Sequence, residues 1–215
     1  NLGLPYNYFD EKSYQFVSCY RKHFDVEGGV EKGKRYLLHF EGAANYSRVF
    51  VNESFVGEHK GGYTPFCFDI TEFIKDKDNL IVVMLDSSER NEIPPFGNVV
   101  DYLVYGGIYR EVWLEKVNEI YIDSVFVRAK DVLSEKKLID IDVEFSKSAC
   151  GSVKIILLDG ERIIYEKEAE FSAKVLKLKW RMGNVALWEI DNPKLYTLKV
   201  LFGEDEKTVR FGFRE

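Results

Sequence analysis

No run of about 18 apolar residues occurs in this 215-residue chain, so no segment of it is long and apolar enough to cross a bilayer as a helix. Nor does the sequence open on a signal-like stretch, so a secretory leader is not expected. The first residue is Asn1 rather than Met, which reads as a trimmed start. Basic residues are outnumbered, with 30 Lys and Arg against 36 Asp and Glu. The net charge of −6 argues against nucleic acid or an anionic membrane surface as partner. Cysteine is scarce and odd in number. Cys19, Cys67 and Cys150 sit far apart, the first two in apolar, strand-like settings. They are expected to be buried thiols in a reducing compartment, which implies a cytoplasmic location. Sustained helical periodicity is absent; the one helical candidate is a short turn near Thr71 to Lys75, capped by Asp69 or Thr71. There is no nucleophile elbow, no phosphate-cradling glycine loop and no metal-ligand spacing, so neither cofactor nor metal is expected. His23, His39 and His59 are isolated and read as strand-surface or satisfied interior residues.

What the chain does have is apolar and aromatic mass: 46% hydrophobic residues, with 13 Tyr and 16 Phe. That is ample for real cores, and 215 residues suit one large or two modest domains. Alternating segments recur at short spacing, the pattern of an all-β sandwich protein. Strands are expected at Tyr14 to Val26, Arg35 to Glu41, Arg48 to Val51, Ser54 to Glu58, Leu80 to Asp86 and Tyr109 to Glu115. Asn52-Glu53-Ser54 occupies a tight hairpin position, where Asn tolerates a positive φ. Beyond Lys116 the pattern changes. In Ile139 to Phe145 the odd positions are apolar and the even ones acidic, and Asp159-Gly160 is a hairpin signal. About seven strands fit between Ile120 and Phe213, which suits an immunoglobulin-like sandwich. The boundary is placed near residue 117.

The most informative stretch runs from Asn98 to Leu114, Asn-Val-Val-Asp-Tyr-Leu-Val-Tyr-Gly-Gly-Ile-Tyr-Arg-Glu-Val-Trp-Leu. It sets one charged residue, Asp101, in an aromatic, otherwise uncharged loop behind the stiffening pair Pro94-Pro95. Such a carboxylate is costly to desolvate without hydrogen-bond donors. Two readings stand: a surface loop whose Asp caps a turn, or a carboxylate placed to accept bonds from sugar hydroxyls. The Gly-Gly pairs at 61–62 and 106–107 read as structural, and Arg110 as a residue that holds the loop through carbonyls or a carboxylate.

Three blocks together resemble the front end of family 2 glycoside hydrolases, the β-galactosidase, β-glucuronidase and β-mannosidase group. The first is Asn45 to Thr71, with Gly57-Glu-His-Lys-Gly-Gly-Tyr-Thr-Pro-Phe66 inside it. The second is Asp101 to Leu114, with Gly-Gly-Ile-Tyr-Arg at 106–110. The third is Leu187-Trp-Glu-Ile-Asp-Asn-Pro-Lys-Leu-Tyr-Thr-Leu198, together with Phe211-Gly-Phe-Arg-Glu215. Asn52-Glu53 stands where the family has Asn-Gly. The resemblance implies a jelly-roll-like sugar-binding domain over 1–117 and an immunoglobulin-like sandwich over 118–215. It further implies a catalytic (β/α)₈ barrel beyond Glu215 that holds two glutamates, so no catalytic residue is nominated in this chain. It makes Asp101 the substrate contact, with Asn98 or Tyr102 as neighbours. The implied partners are a terminal β-linked galactose or glucuronic acid, the protein's own barrel, and further copies of itself in a homo-oligomer. Trp188 reads as an anchor of the sandwich core and its final strand, with sugar stacking as the alternative. A free-standing carbohydrate-binding module and a purely structural interaction module are the alternatives.

Overall fold

The structure is a computed structural model that describes residues 15–96 and 105–214. Among the described residues every regular element is a strand, and the turn at Thr71 is not extended into a helix. The chain divides into two compact units, Asn1–Val117 and Asn118–Glu215.

Nine strands are described across the first unit and its last residues: β1 (Val17–Phe24), β2 (Lys34–Phe40), β3 (Ala43–Ala44), β4 (Tyr46–Val51), β5 (Ser54–Lys60), β6 (Phe66–Asp69), β7 (Asn79–Asp86), β8 (Gly107–Ile108) and β9 (Val112–Asn118). One sheet runs β1-β7-β4-β5, a second β6-β2-β9, and β3 pairs with β8. The core lies between the two larger sheets because their alternating positions point at one another. Tyr36, Leu38 and Phe40 of β2 cluster with Val49 and Val51 of β4 and Val83 of β7. The pattern of β4 is strictly alternating, with Ser47, Val49 and Val51 buried, as period-two side-chain geometry requires. The turn into β7 behaves as its sequence suggests. The Asp69 carboxylate accepts from the Thr71 backbone N–H at 3.0 Å and from the Thr71 hydroxyl at 2.6 Å.

The β4-β5 hairpin turns through Asn52 (φ 48) and Glu53 (φ 69), the two positive φ values of a type I′ turn. Asn52 does more there than tolerate left-handed geometry. Its side-chain amide donates to the Phe73 carbonyl at 2.8 Å and to Asn79 Oδ1 at 2.9 Å, while its oxygen accepts from the Leu80 N–H at 2.9 Å. Asn79 is fully buried and is satisfied in turn by Lys75, giving and receiving bonds at 2.7 and 2.8 Å. Glu53 is the mismatched partner, since left-handed geometry costs a residue with a Cβ but not glycine. Glu53→Gly is expected to raise stability by about 0.5–1 kcal/mol. A thermal melt of the variant checks this, and a lower midpoint would show that the Glu53 side chain contributes more than the turn strain it imposes.

The second unit is built from β10 (Ile122–Lys130), β11 (Lys137–Asp159), β12 (Arg162–Met182), β13 (Tyr196–Phe202) and β14 (Asp205–Phe211). Five strands replace the expected seven because two expected pairs are continuous. The segments around Ile139 to Phe145 and Val153 to Leu157 form one long strand, and so do those around Arg162 to Lys167 and Leu176 to Trp180. A break in the β11–β12 register between Glu144 and Ala149 marks the junction of the two halves. The first half of β11 pairs with β10 and the second half with β13. Both halves feed one core: Ile139, Ile141, Val143 and Phe145 join Val153, Ile155 and Leu157, with Trp180 and Leu198. Asp140 lies on the acidic side of β11 yet is only 5% exposed. Lys130 covers it at 2.6 Å and holds its carboxyl below the ordinary range.

The three thiols are exposed, not buried as expected. A strand-like setting fixes an alternation but not which phase of it faces the core, and all three fall on the outward phase. Trp188 also departs from expectation. It is half-buried outside the core cluster, where Trp180 sits instead. The Trp188 N–H donates to the Phe213 carbonyl at 2.9 Å, and the Arg214 guanidinium lies 4.6 Å over its ring.

Candidate functional site

Asp101 lies outside the described residues, as do Asn98 and Tyr102, so the described part of the candidate site is its two flanks. On the approach from β7, Asp86 closes the strand by accepting from the Ser88 N–H at 3.0 Å and pairing with Arg90 at 3.2 Å. Burial opposes ionisation of Asp86, but the Ser88 and Arg90 donors outweigh it and hold its carboxyl below the ordinary range. Arg90 is gripped again by Glu92 at 2.7 Å, and its guanidinium lies 4.9 Å over the Tyr46 ring. Ile93 is 2% exposed and donates its N–H to the Arg90 carbonyl at 3.0 Å, just before Pro94-Pro95.

The far flank is stitched to a second loop. Tyr105 is exposed; then Gly107–Ile108 pairs with Ala43–Ala44. Gly107 has φ 111, a conformation for which glycine is suited. The Tyr109 hydroxyl donates to the Gly62 carbonyl, and Tyr109 meets Tyr63 edge-on at 6.4 Å. Arg110 reaches the carbonyls of Glu41 and Tyr63, both at 3.4 Å, the kind of partner expected for it. Gly62 is required for a different reason than Gly107. A Cβ there would stand 2.9 Å from the Ala44 Cβ and 3.1 Å from Asn45 Oδ1, so only glycine lets the loop at 61–65 approach this closely. Asn45 is itself buried, and its Oδ1 has no hydrogen-bond partner. Asn45 opens the first family block, but nothing in that pattern indicated that its side chain would be buried.

The three histidines are dispersed. His23 meets Asp78 at 3.2 Å in solvent. His59 stacks on Phe66 at 4.2 Å and contacts the Thr64 hydroxyl at 3.1 Å; burial pushes its pKa down, with the Gly61 backbone opposing. His39 lies on the second sheet, next to Cys67. Among the described residues no three His, Cys, Asp or Glu side chains converge to hold a metal. A groove of about 530 Å³ opens beside β1 and β9, lined by Phe24, Leu38, Phe40, Val112 and Leu114 among others. Its walls are mainly the sandwich's own apolar residues, a poor match for a hydroxyl-rich ligand.

Comparison with known proteins matches the chain in two consecutive stretches. Residues 2–118 fit the sugar binding domain of the family 2 glycosyl hydrolases, and residues 120–214 fit a second domain of the same family. The β-galactosidase of Thermoanaerobacter pseudethanolicus is 39% identical over 222 residues, which cover all of this chain and 30% of that enzyme. The β-galactosidase of Rhizobium meliloti is 32% identical over 227 residues, covering 99% of this chain and 29% of that one. A family 2 glycosyl hydrolase from Bacteroides cellulosilyticus is similar in structure, with a TM-score of 0.77 at 25% identity, over 93% of this chain and 29% of that one. The chain thus spans about a third of the length of the relatives it matches.

Proposed function

The chain belongs to glycosyl hydrolase family 2, and from that membership we propose that it forms the non-catalytic front part of a retaining glycosidase. The proposed enzyme removes a terminal β-linked galactose or glucuronic acid in carbohydrate metabolism. Retention needs two carboxylates about 5–5.5 Å apart across the scissile bond, one as nucleophile and one as acid and base. In this reading a (β/α)₈ barrel elsewhere in the parent protein supplies both. The first domain supplies Asp101, which accepts hydrogen bonds from neighbouring hydroxyls of the non-reducing-end sugar. An ionised carboxylate that accepts two such bonds is strong and selective for hydroxyl geometry. The second domain supports the barrel, and copies of the enzyme assemble as a homo-oligomer in the cytoplasm.

The observation that carries the reading is the tandem order of the two family segments, together with the share of the β-galactosidases that they span. The braced flanks fit it as well. Arg90 is held by Glu92 on one side, and Tyr109 with Arg110 is held by the loop at 62–63 on the other. The test is direct. Residues 1–215 alone are expected to give no turnover of a chromogenic β-galactoside or β-glucuronide, and no measurable heat on titration with galactose, lactose or a glucuronide. Hydrolysis by this polypeptide would overturn the proposal, and tight oligosaccharide binding would favour a free-standing carbohydrate-binding module instead.

A further inference from the structure

The groove beside β1 and β9 lies outside everything assigned to the sugar site, and the strand pairing explains why it is there. One layer of the first unit is the sheet β1-β7-β4-β5, and the other is the shorter sheet β6-β2-β9. Among the described residues β1 and β9 are the edges of their sheets. In the β1–β7 ladder Ser18 lies opposite Leu85, Tyr20 opposite Val83 and Lys22 opposite Ile81. Directly opposed residues point to the same face of a sheet, and Leu85 and Val83 are buried. Ser18, Tyr20 and Lys22 therefore point to the core face. Yet Tyr20 is 40% exposed, and β1 is exposed at every position except Ser18 and Phe24. On the opposite wall Val112 of β9 is 41% exposed, and the floor between the walls is Leu38, Phe40 and Val83 of the core. The shorter layer thus ends before it covers β1.

We propose that this groove receives a β-strand of the parent polypeptide from outside residues 1–215, added to the free edge of β9. The inference rests on the reading that the chain is part of a longer enzyme, since it spans about a third of its relatives. A strand placed there extends the shorter layer and covers the core face of β1. The edge backbone groups of β9 supply the hydrogen bonds, and the groove selects side chains at every second position of the incoming strand. Its inward residues are apolar, to match Leu38, Phe40 and Val83. An acidic residue of the strand stands near Lys22, which lines the groove together with Arg21. A tethered strand outcompetes a separate partner, because a short link gives it an effective concentration of about millimolar. An open edge beside exposed apolar residues otherwise invites pairing with other chains.

Hydrogen exchange read by mass spectrometry tests this by comparing residues 1–215 with the whole enzyme. Relative to the interior strand β4, peptides covering Val112–Asn118 are expected to exchange at least about tenfold more slowly in the whole enzyme. Val112→Asp places a charge under the added strand and is expected to abolish that extra protection, while exchange in residues 1–215 stays as it was. Equal exchange of β9 in the two forms, or protection that survives Val112→Asp, overturns the proposal. So does protection of β9 in residues 1–215 that grows with protein concentration, which would give the groove to a second copy. If Val112→Asp fails to fold, the comparison of the two unsubstituted forms decides. Turnover of a chromogenic β-galactoside or β-glucuronide separates this test from the glycosidase reading. A whole enzyme that turns over with β9 unprotected defeats the strand alone; one that protects β9 without turnover supports the strand and counts against the glycosidase.

Discussion

Asp101→Ala in the whole enzyme is expected to lower kcat/KM for a chromogenic β-galactoside or β-glucuronide by about 10- to 150-fold, with the melting temperature unchanged. The size follows from the chemistry assigned to the residue. A hydrogen bond to a charged group contributes about 1.5–3 kcal/mol, and that range converts to this fold-change. Asp101→Asn is expected to fall between the two. The amide keeps an oxygen acceptor but loses the charge and turns a donor toward hydroxyls that themselves need to donate. Steady-state kinetics beside a thermal melt separates this from a folding defect, since a turn-capping Asp would shift the melt and leave kcat/KM alone. An Asp101→Ala enzyme with wild-type kcat/KM would sink the assignment, while the family membership would stand.

The largest expected effect on stability is in the second unit. Phe145 is fully buried, stacked on Phe171 at 4.2 Å with the planes 3° apart, and it meets Phe202 edge-on at 5.2 Å. Removing an interior Phe side chain costs about 3–5 kcal/mol, the lost transfer energy plus the cavity left behind. At roughly 4–8 °C for each kcal/mol in a domain of this size, Phe145→Ala should lower the melting midpoint of this unit by more than about 10 °C. Phe145→Leu should recover much of the loss, because it refills most of the volume. A shift of only a degree or two in calorimetry would mean that the core relaxes around the missing ring.

Much of this architecture was legible because half-buried strands write their period into the sequence. Ile139-Asp-Ile-Asp-Val-Glu-Phe145 announces its inward face, and the long elements β2, β4, β5 and β7 fall within a residue or two of their alternating runs. What escaped has physical causes. Two-residue pairings such as β3 and β8 are too short to show a period at all. β6 reads Phe-Cys-Phe-Asp, and with aromatic residues framing the thiol its phase was ambiguous, so the exposure of Cys67 was missed. Between Phe145 and Val153 the alternation lapses, yet the chain passes through as a bulged strand. At the site, the flanking glycines and Arg110 were read from local backbone chemistry. The contacts of Arg90 and Asn45 depend on partners distant in sequence, which no local pattern encodes.

The unbroken run of β11 and β12 has a consequence for how the second unit comes apart. In a sandwich whose layers are joined only by loops, one layer can open while the other stays closed. Here the same two strands carry residues of both halves of the core, so peeling either half drags its counterpart along. The penalty for a partial opening approaches that for losing everything, and such units disassemble in a single concerted event.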